Sequence, residues 1–315
     1  MKKDYAILVL LTLVIMATLA LSNQDYYCEV LLFTGLNILA ALGLSMLTGL
    51  AGQISLGHAG FYGLGAYISG ALSAHFHLPV IPAMVIALCA TAALAYGIGV
   101  PTLRLKGHYL AMGTLGFGII LYILFLQLKP VTGGASGLAG IDPLSFGFWE
   151  PSTPKAYAIV VWVTVIAALA LCINIIHSPA GMALKALHES EVAASTLGVD
   201  VASFKVRIFV LSAVLAALAG ALYAHYITFI SPETFGFIYS VKLVVMIVLG
   251  GLTSLWGAVL GGAFLSLLPE VLHVFEDYEV VIYGAILLGI LVFFPKGLAG
   301  LFEYLFKGAK RCLPS

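Results

Sequence analysis

The run YAIVVWVTVIAALALCINIIH at residues 157–177 holds 21 positions without an acid, a lysine or an arginine. A helix of that length covers about 30 Å, the thickness of the hydrocarbon layer of a bilayer. Comparable windows recur near 5–22, 30–48, 56–75, 80–102, 108–127, 206–228, 240–257, 258–273 and 280–295. The chain has 315 residues, of which 62% are hydrophobic and 9% charged, where a soluble domain has roughly 25% charged residues. No core of this size absorbs so much apolar side chain, so lipid must be the solvent for most of the surface. Continuous runs without period-2 alternation exclude a membrane β-barrel. The reading is an all-α, polytopic integral membrane protein, one transmembrane domain over residues 1–315 with about 8–10 spanning helices. Met1-Lys2-Lys3 leads into the first span rather than a signal peptide, because no small-residue cleavage site follows Leu21.

Directly after residue 177 the pattern breaks. Residues 178–207 read SPAGMALKALHESEVAASTLGVDVASFKVR. Ser178 followed by Pro179 starts a helix, Gly198 offers a left-handed stop, and Asp200 is placed to cap the next helix. Between them Met182, Leu184, Leu187, Val192 and Leu197 are mixed with Lys185, His188, Glu189 and Glu191. This stretch is too polar for hydrocarbon and too apolar to lie idle in water. Two readings stand: a short surface helix that docks on another protein, or an ordinary solvated loop.

Basic residues orient the spans. With the N-terminus inside and ten spans, the inner segments hold Lys2, Lys3, Arg104, Lys106, Lys185, Lys205, Arg207, Lys296, Lys307, Lys310 and Arg311. Only Lys129, Lys155 and Lys242 of the 14 basic residues fall outside. Both termini and the 178–205 segment are therefore expected in the cytoplasm, and the 128–156 loop outside. That loop carries Phe146, Phe148 and Trp149, either interfacial anchors or part of a docking surface. The spans lack a midplane carboxylate, with Glu270 the deepest acid. Proton- or sodium-driven carriers usually keep a carboxylate or an unwound ion site there, and the missing carboxylate suggests that energy arrives from elsewhere, against the alternative of a self-sufficient secondary transporter.

Two glycine clusters interrupt the apolar pattern, LTGLAGQISLGHAGFYGLGAYISG at 47–70 and LGGLTSLWGAVLGGAFL at 249–265. Glycine lets helix backbones approach closely and permits broken or re-entrant helices, which at membrane depth must face protein or a water-filled cavity. The polar side chains of the first cluster stand where the backbone is loosest. Thr48, Gln53, Ser55, Gly57, His58 and Gly60, with Thr114 of the glycine-flanked 113–118 segment, are the candidates for a translocation pathway. The competing reading is tight helix packing, with His58 a hydrogen-bonded structural residue. The placement of the clusters in corresponding halves suggests an internal pseudo-repeat.

Cys28, Cys89, Cys172 and Cys312 stand singly, and Cys89 and Cys172 read as small core residues. The histidines show no metal-ligand spacing beyond a weak His75-x-His77. No phosphate loop or Ser–His–Asp set is readable. Zero formal net charge gives no argument for nucleic acid. Neither enzyme chemistry nor a cofactor or metal in this chain is expected.

The motifs also resemble a known family, the permease subunits of branched-chain amino-acid ABC importers, and among them the LivM-type member of the permease pair. The resemblance is carried by residues 47–67, by RLKGHYLAMGTLGFG at 104–118 and by TGGASGLAGI at 132–141. It continues through 181–207, ALAGALYAH at 217–225 and 248–265, in the expected order. The resemblance implies a heterodimer with a second permease subunit in the bacterial inner membrane. It further implies two cytoplasmic ATPase subunits, which hold ATP and magnesium, and a periplasmic solute-binding protein. The 178–205 segment would be the coupling helix seated on the ATPase, with Lys185, Leu187, Glu189, Glu191, Ala193, Ala194 and Gly198 as its contact residues. Importers of this kind carry a Glu-Ala-Ala-x3-Gly loop. Here Ala193, Ala194 and Gly198 are in register, but Val192 stands at the glutamate position and Glu191 one residue earlier. Related permeases also serve urea, amides and small carboxylates.

Overall fold

The computed structural model describes residues 2–21, 24–103, 105, 107–147, 149–272, 279–293, 297, 298 and 300. Arg104, Lys106, Phe148, His273, Glu276, Asp277, Lys296, Lys307, Lys310, Arg311 and Cys312 lie outside the described residues. Helices follow one another as α1 (Lys2–Leu21), α2 (Asp25–Ala51), α3 (His58–Phe76), α4 (Val80–Thr102), α5 (His108–Gln127), the single turn α6 (Lys129–Thr132) and α7 (Pro154–His177). Next come α8 (Pro179–Glu189), α9 (Glu191–Thr196), α10 (Val201–Ile227), α11 (Phe237–Gly250), α12 (Leu255–Leu272) and α13 (Glu279–Phe293). Among the described residues seven helices are long and apolar enough to cross a membrane.

The two central helices are α2 and α10, and the rest are laid around them. α10 packs against α3, α2 and α4, and α2 against α7 and α12. Lipid supplies no hydrophobic drive between such helices, so close backbone contact must hold them. At the α3–α10 crossing, a Cβ on Gly65 would lie 1.9 Å from the Ala217 carbonyl oxygen, and one on Gly220 1.8 Å from that of Tyr62. Only glycine fits at either place. Two reciprocal hydrogen bonds bracket the crossing. His58 Nε2 of α3 lies 2.5 Å from Ser212 Oγ of α10, and Ser69 Oγ of α3 lies 2.6 Å from His225 Nε2 of α10. With its outside covered by protein, α3 needs no apolar exterior. It is not one of the seven membrane-long apolar helices, although it is almost wholly buried.

At one end Asp4 meets His177 at 3.0 Å, joining the start of α1 to the end of α7. At the other end the strands β1 (Leu138–Ala139) and β2 (Phe229–Ile230) pair antiparallel. There His225 Nδ1 also lies 2.7 Å from the Asp142 carbonyl oxygen, and the Tyr157 hydroxyl donates to the Leu222 carbonyl at 2.6 Å. The long 128–156 loop is thus fastened across the ends of α7 and α10. Phe146 stacks on Trp149, with ring centroids 5.8 Å apart.

Three expectations need correcting. The windows 240–257 and 258–273 divide at residues 251–254, not at Gly257. α11 therefore has only 14 residues, about 21 Å and short of a full crossing. Lys242, placed in an outer segment by the charge count, is the sixth residue of α11. Cys89 is exposed on α4, not packed in the core, while Cys28 and Cys172 are buried.

Candidate functional site

α2 ends because Gly52 turns left-handed, at φ 64°. Its N–H and that of Gln53 cap the carbonyls of Thr48 and Leu47. The chain then runs without regular structure to Gly57 before α3 begins. Depth follows from α10: Ser212, which meets His58, stands eleven residues after Val201, about 16 Å along the helix. Irregular backbone therefore reaches mid-depth, where unpaired amides and carbonyls are costly.

Polar side chains meet that cost. The Thr48 hydroxyl donates to the Gln53 carbonyl at 3.2 Å. The Leu56 amide donates to Thr114 Oγ1 of α5 at 3.1 Å, and the Ala59 amide to Ser240 Oγ of α11 at 2.9 Å. Ser55 Oγ accepts from the Gly57 amide and lies 2.9 Å from His58 Nδ1. His58 is fully buried with both ring nitrogens engaged. Gly57 and Gly60 are contact points, since a Cβ on Gly57 would lie 2.2 Å from the Thr114 carbonyl oxygen and one on Gly60 2.7 Å from Leu121. Sequence reasoning did not single out Ser212 and Ser240, for lone serines in apolar helices carry no local signal.

Gln53 is different. It is 4% exposed, and neither its side-chain oxygen nor its nitrogen has a hydrogen-bond partner. It lines a crevice too tight to hold a water molecule, with Leu47, Leu103, Leu110, Thr114 and Phe209 among the other lining residues. The second glycine cluster reaches the same region: a Cβ on Gly49 would lie 2.5 Å from the Leu252 carbonyl oxygen, inside the α11–α12 break.

Below the break lies the 178–200 segment. Ser178 caps α8 by accepting from the Gly181 amide, with Pro179 in the first turn. The single helix expected up to Gly198 is two, because Ser190 ends α8 and its hydroxyl accepts from the Ala193 amide to start α9. A serine side chain offers the backbone this alternative to continued helix. Gly198 has φ +82°, and Asp200 caps α10 through the Ser203 amide. Leu184, Leu187 and Ala194 point into the protein, so Leu187 and Ala194 present no outer surface. Outward stand Met182 at 63%, Val192 at 72% and Leu197 at 80% exposure, with Lys185, Glu189, Ala193 and Gly198 also exposed. Glu191 turns to Lys205 of α10, Oε1 to Nζ 2.5 Å. His188 touches the break, its Nδ1 lying 3.0 Å from where a Cβ on Gly52 would stand.

Among the described residues no three His, Cys, Asp or Glu side chains form a group able to hold a metal.

Residues 26–291 match the family described as the branched-chain amino acid transport system / permease component. The chain is 32% identical over 293 residues to the high-affinity branched-chain amino acid transport system permease protein LivM of Escherichia coli, covering 86% of this chain and 69% of the relative. It is 28% identical over 308 residues to LivH of the same organism, covering 89% and 98%. The autoinducer 2 import system permease protein LsrC of Yersinia pseudotuberculosis is 29% identical over 311 residues, covering 93% and 84%. No solved structure matches the chain.

Proposed function

Because the chain belongs to the family of branched-chain amino acid transport system permease components, we propose that it is the membrane-spanning subunit of an ATP-driven importer. Its cargo is branched-chain amino acids, moved across a bacterial inner membrane. The observation that carries this reading is the contact between break and docking element. His188 of α8 sits against Gly52, where α2 stops. A force applied to the exposed apolar face of α8 and α9 reaches the irregular backbone at mid-depth without crossing a soft loop.

ATP, with magnesium, is held by two cytoplasmic ATPase subunits. The side chains of Met182, Val192 and Leu197 fill a groove on one of them, framed by Lys185 and Glu189. A second permease, such as the LivH type, completes the membrane pair, and a periplasmic solute-binding protein delivers the substrate. Both termini are cytoplasmic. Closure of the ATPase pair then moves the permease between inward- and outward-facing states, two arrangements of packed bodies biased by ligand. Of the pathway candidates named from the sequence, Gln53 has hydrogen-bonding capacity to offer a passing substrate, since Thr48, Ser55, His58 and Thr114 spend theirs on the break.

The test is uptake of radiolabelled leucine into vesicles holding the chain with its partners, with and without ATP and the binding protein. Uptake dependent on both is expected. Urea uptake in place of leucine would keep the machine and change the cargo. ATP-independent uptake by this chain alone would make it a self-sufficient carrier and overturn the reading.

A further inference from the structure

Lys205 is the one acidic, lysine or arginine side chain that is buried among the described residues, at 5% exposure. It lies near the start of α10, and its ammonium meets Glu191 of α9 at 2.5 Å. The pair is lopsided, with the lysine side chain 7% exposed and the glutamate 36%. Exposed ion pairs contribute little to stability, and a buried lysine costs more than an apolar residue of the same shape. Stability is therefore a poor reason for a lysine here. A fixed geometry between two elements is a better one, and α9 needs fixing. It has six residues, and of these only Ala194 is buried.

What the lysine connects to is set by the period of α10. Phe209 follows four residues later and Ser212 seven, so all three share one stripe over about 10 Å of axis. Phe209 is 1% exposed, lines the same tight crevice as Gln53 and meets Phe61 of α3 edge-on at 5.4 Å. Ser212 holds His58, the first residue after the break. One stripe of one rigid helix thus touches the docking element at its lower end, the surroundings of Gln53 in the middle and the break at its upper end.

We propose that Lys205 is a positioning residue for coupled transport. Paired with Glu191, it makes α9 and the Lys205–Phe209–Ser212 stripe a single strut that carries movement of the docking element to the broken segment 52–57. This rests on the docking reading given above.

The test is the ratio of leucine uptake to ATP hydrolysis in the reconstituted full complex. In Lys205→Met, which fills the buried site without a charge, hydrolysis is expected to continue while the ratio falls about 2- to 30-fold, the range found for residues along coupled networks. The exchange Glu191→Lys with Lys205→Glu is expected to recover the ratio at least in part, which a purely packing role of Lys205 would not do. Should Lys205→Met fail to assemble, Phe209→Leu loosens the same stripe with the ion pair intact, and its ratio is expected to fall as well. An unchanged ratio in the variant that assembles overturns the strut, and so does a loss in Lys205→Met that the exchange does not relieve. In both cases wild-type uptake still depends on ATP. If wild-type uptake itself ignores ATP, the docking reading fails and takes the strut with it.

Discussion

At the scale of single residues, Gln53 and His58 show how differently two polar side chains of one segment are used. His58 spends both ring nitrogens on Ser55 and Ser212. Gln53 has a buried carboxamide with no partner. Leaving such a group unpaired costs about 1–3 kcal/mol, whereas replacing it with an apolar group of similar size removes the cost. Gln53→Leu is therefore expected to keep or raise the melting temperature of the purified protein while lowering uptake or shifting its substrate preference. Lower stability together with normal uptake would return Gln53 to a packing role. The sequence placed both residues at the loosest backbone of the chain, but nothing local distinguishes them. Their difference lies in Ser212, which is 154 positions from His58.

At the scale of elements, the break at 52–57 and the docking pair α8–α9 are built by local chemistry. Gly52, Ser178, Pro179, Ser190, Gly198 and Asp200 act on their immediate neighbours, so helix ends at most of these positions were legible in the sequence. Ser190 is the exception, because its capping bond competes closely with continued helix. Gly198 matters through its backbone. No atom lies within 4 Å of a Cβ placed there, yet φ is +82°. Proline is locked near φ −65° and cannot adopt that turn. Gly198→Pro is expected to re-aim α9 against α10, abolishing coupling in the vesicle assay while the protein still inserts at normal levels. Normal uptake per ATP in this variant would mean that the geometry of α9 is unimportant.

For the whole molecule, the clearest consequence is sidedness. Leu197 stands at the end of the docking element and Glu233 beside β2, both exposed and at opposite ends. In a background freed of the native cysteines, Glu233→Cys is expected to react with a membrane-impermeant maleimide in intact cells. Leu197→Cys is expected to react only after permeabilisation. The reverse pattern would put the docking face on the side without ATP. Reading along the chain is enough for the solvent, the helical class, the sites of most breaks and caps, and the family. Those properties depend on composition and on neighbours along the chain, which a linear reading contains. Tertiary structure alone decided which polar groups of 47–60 are consumed by the scaffold, and that Leu187 and Ala194 face inward while Met182, Val192 and Leu197 face out. It also decided that Glu191 belongs to Lys205. Each of these depends on which distant helix supplies the partner. In lipid that choice is set by close backbone packing and hydrogen bonding between helices, because apolar surface alone favours no particular neighbour.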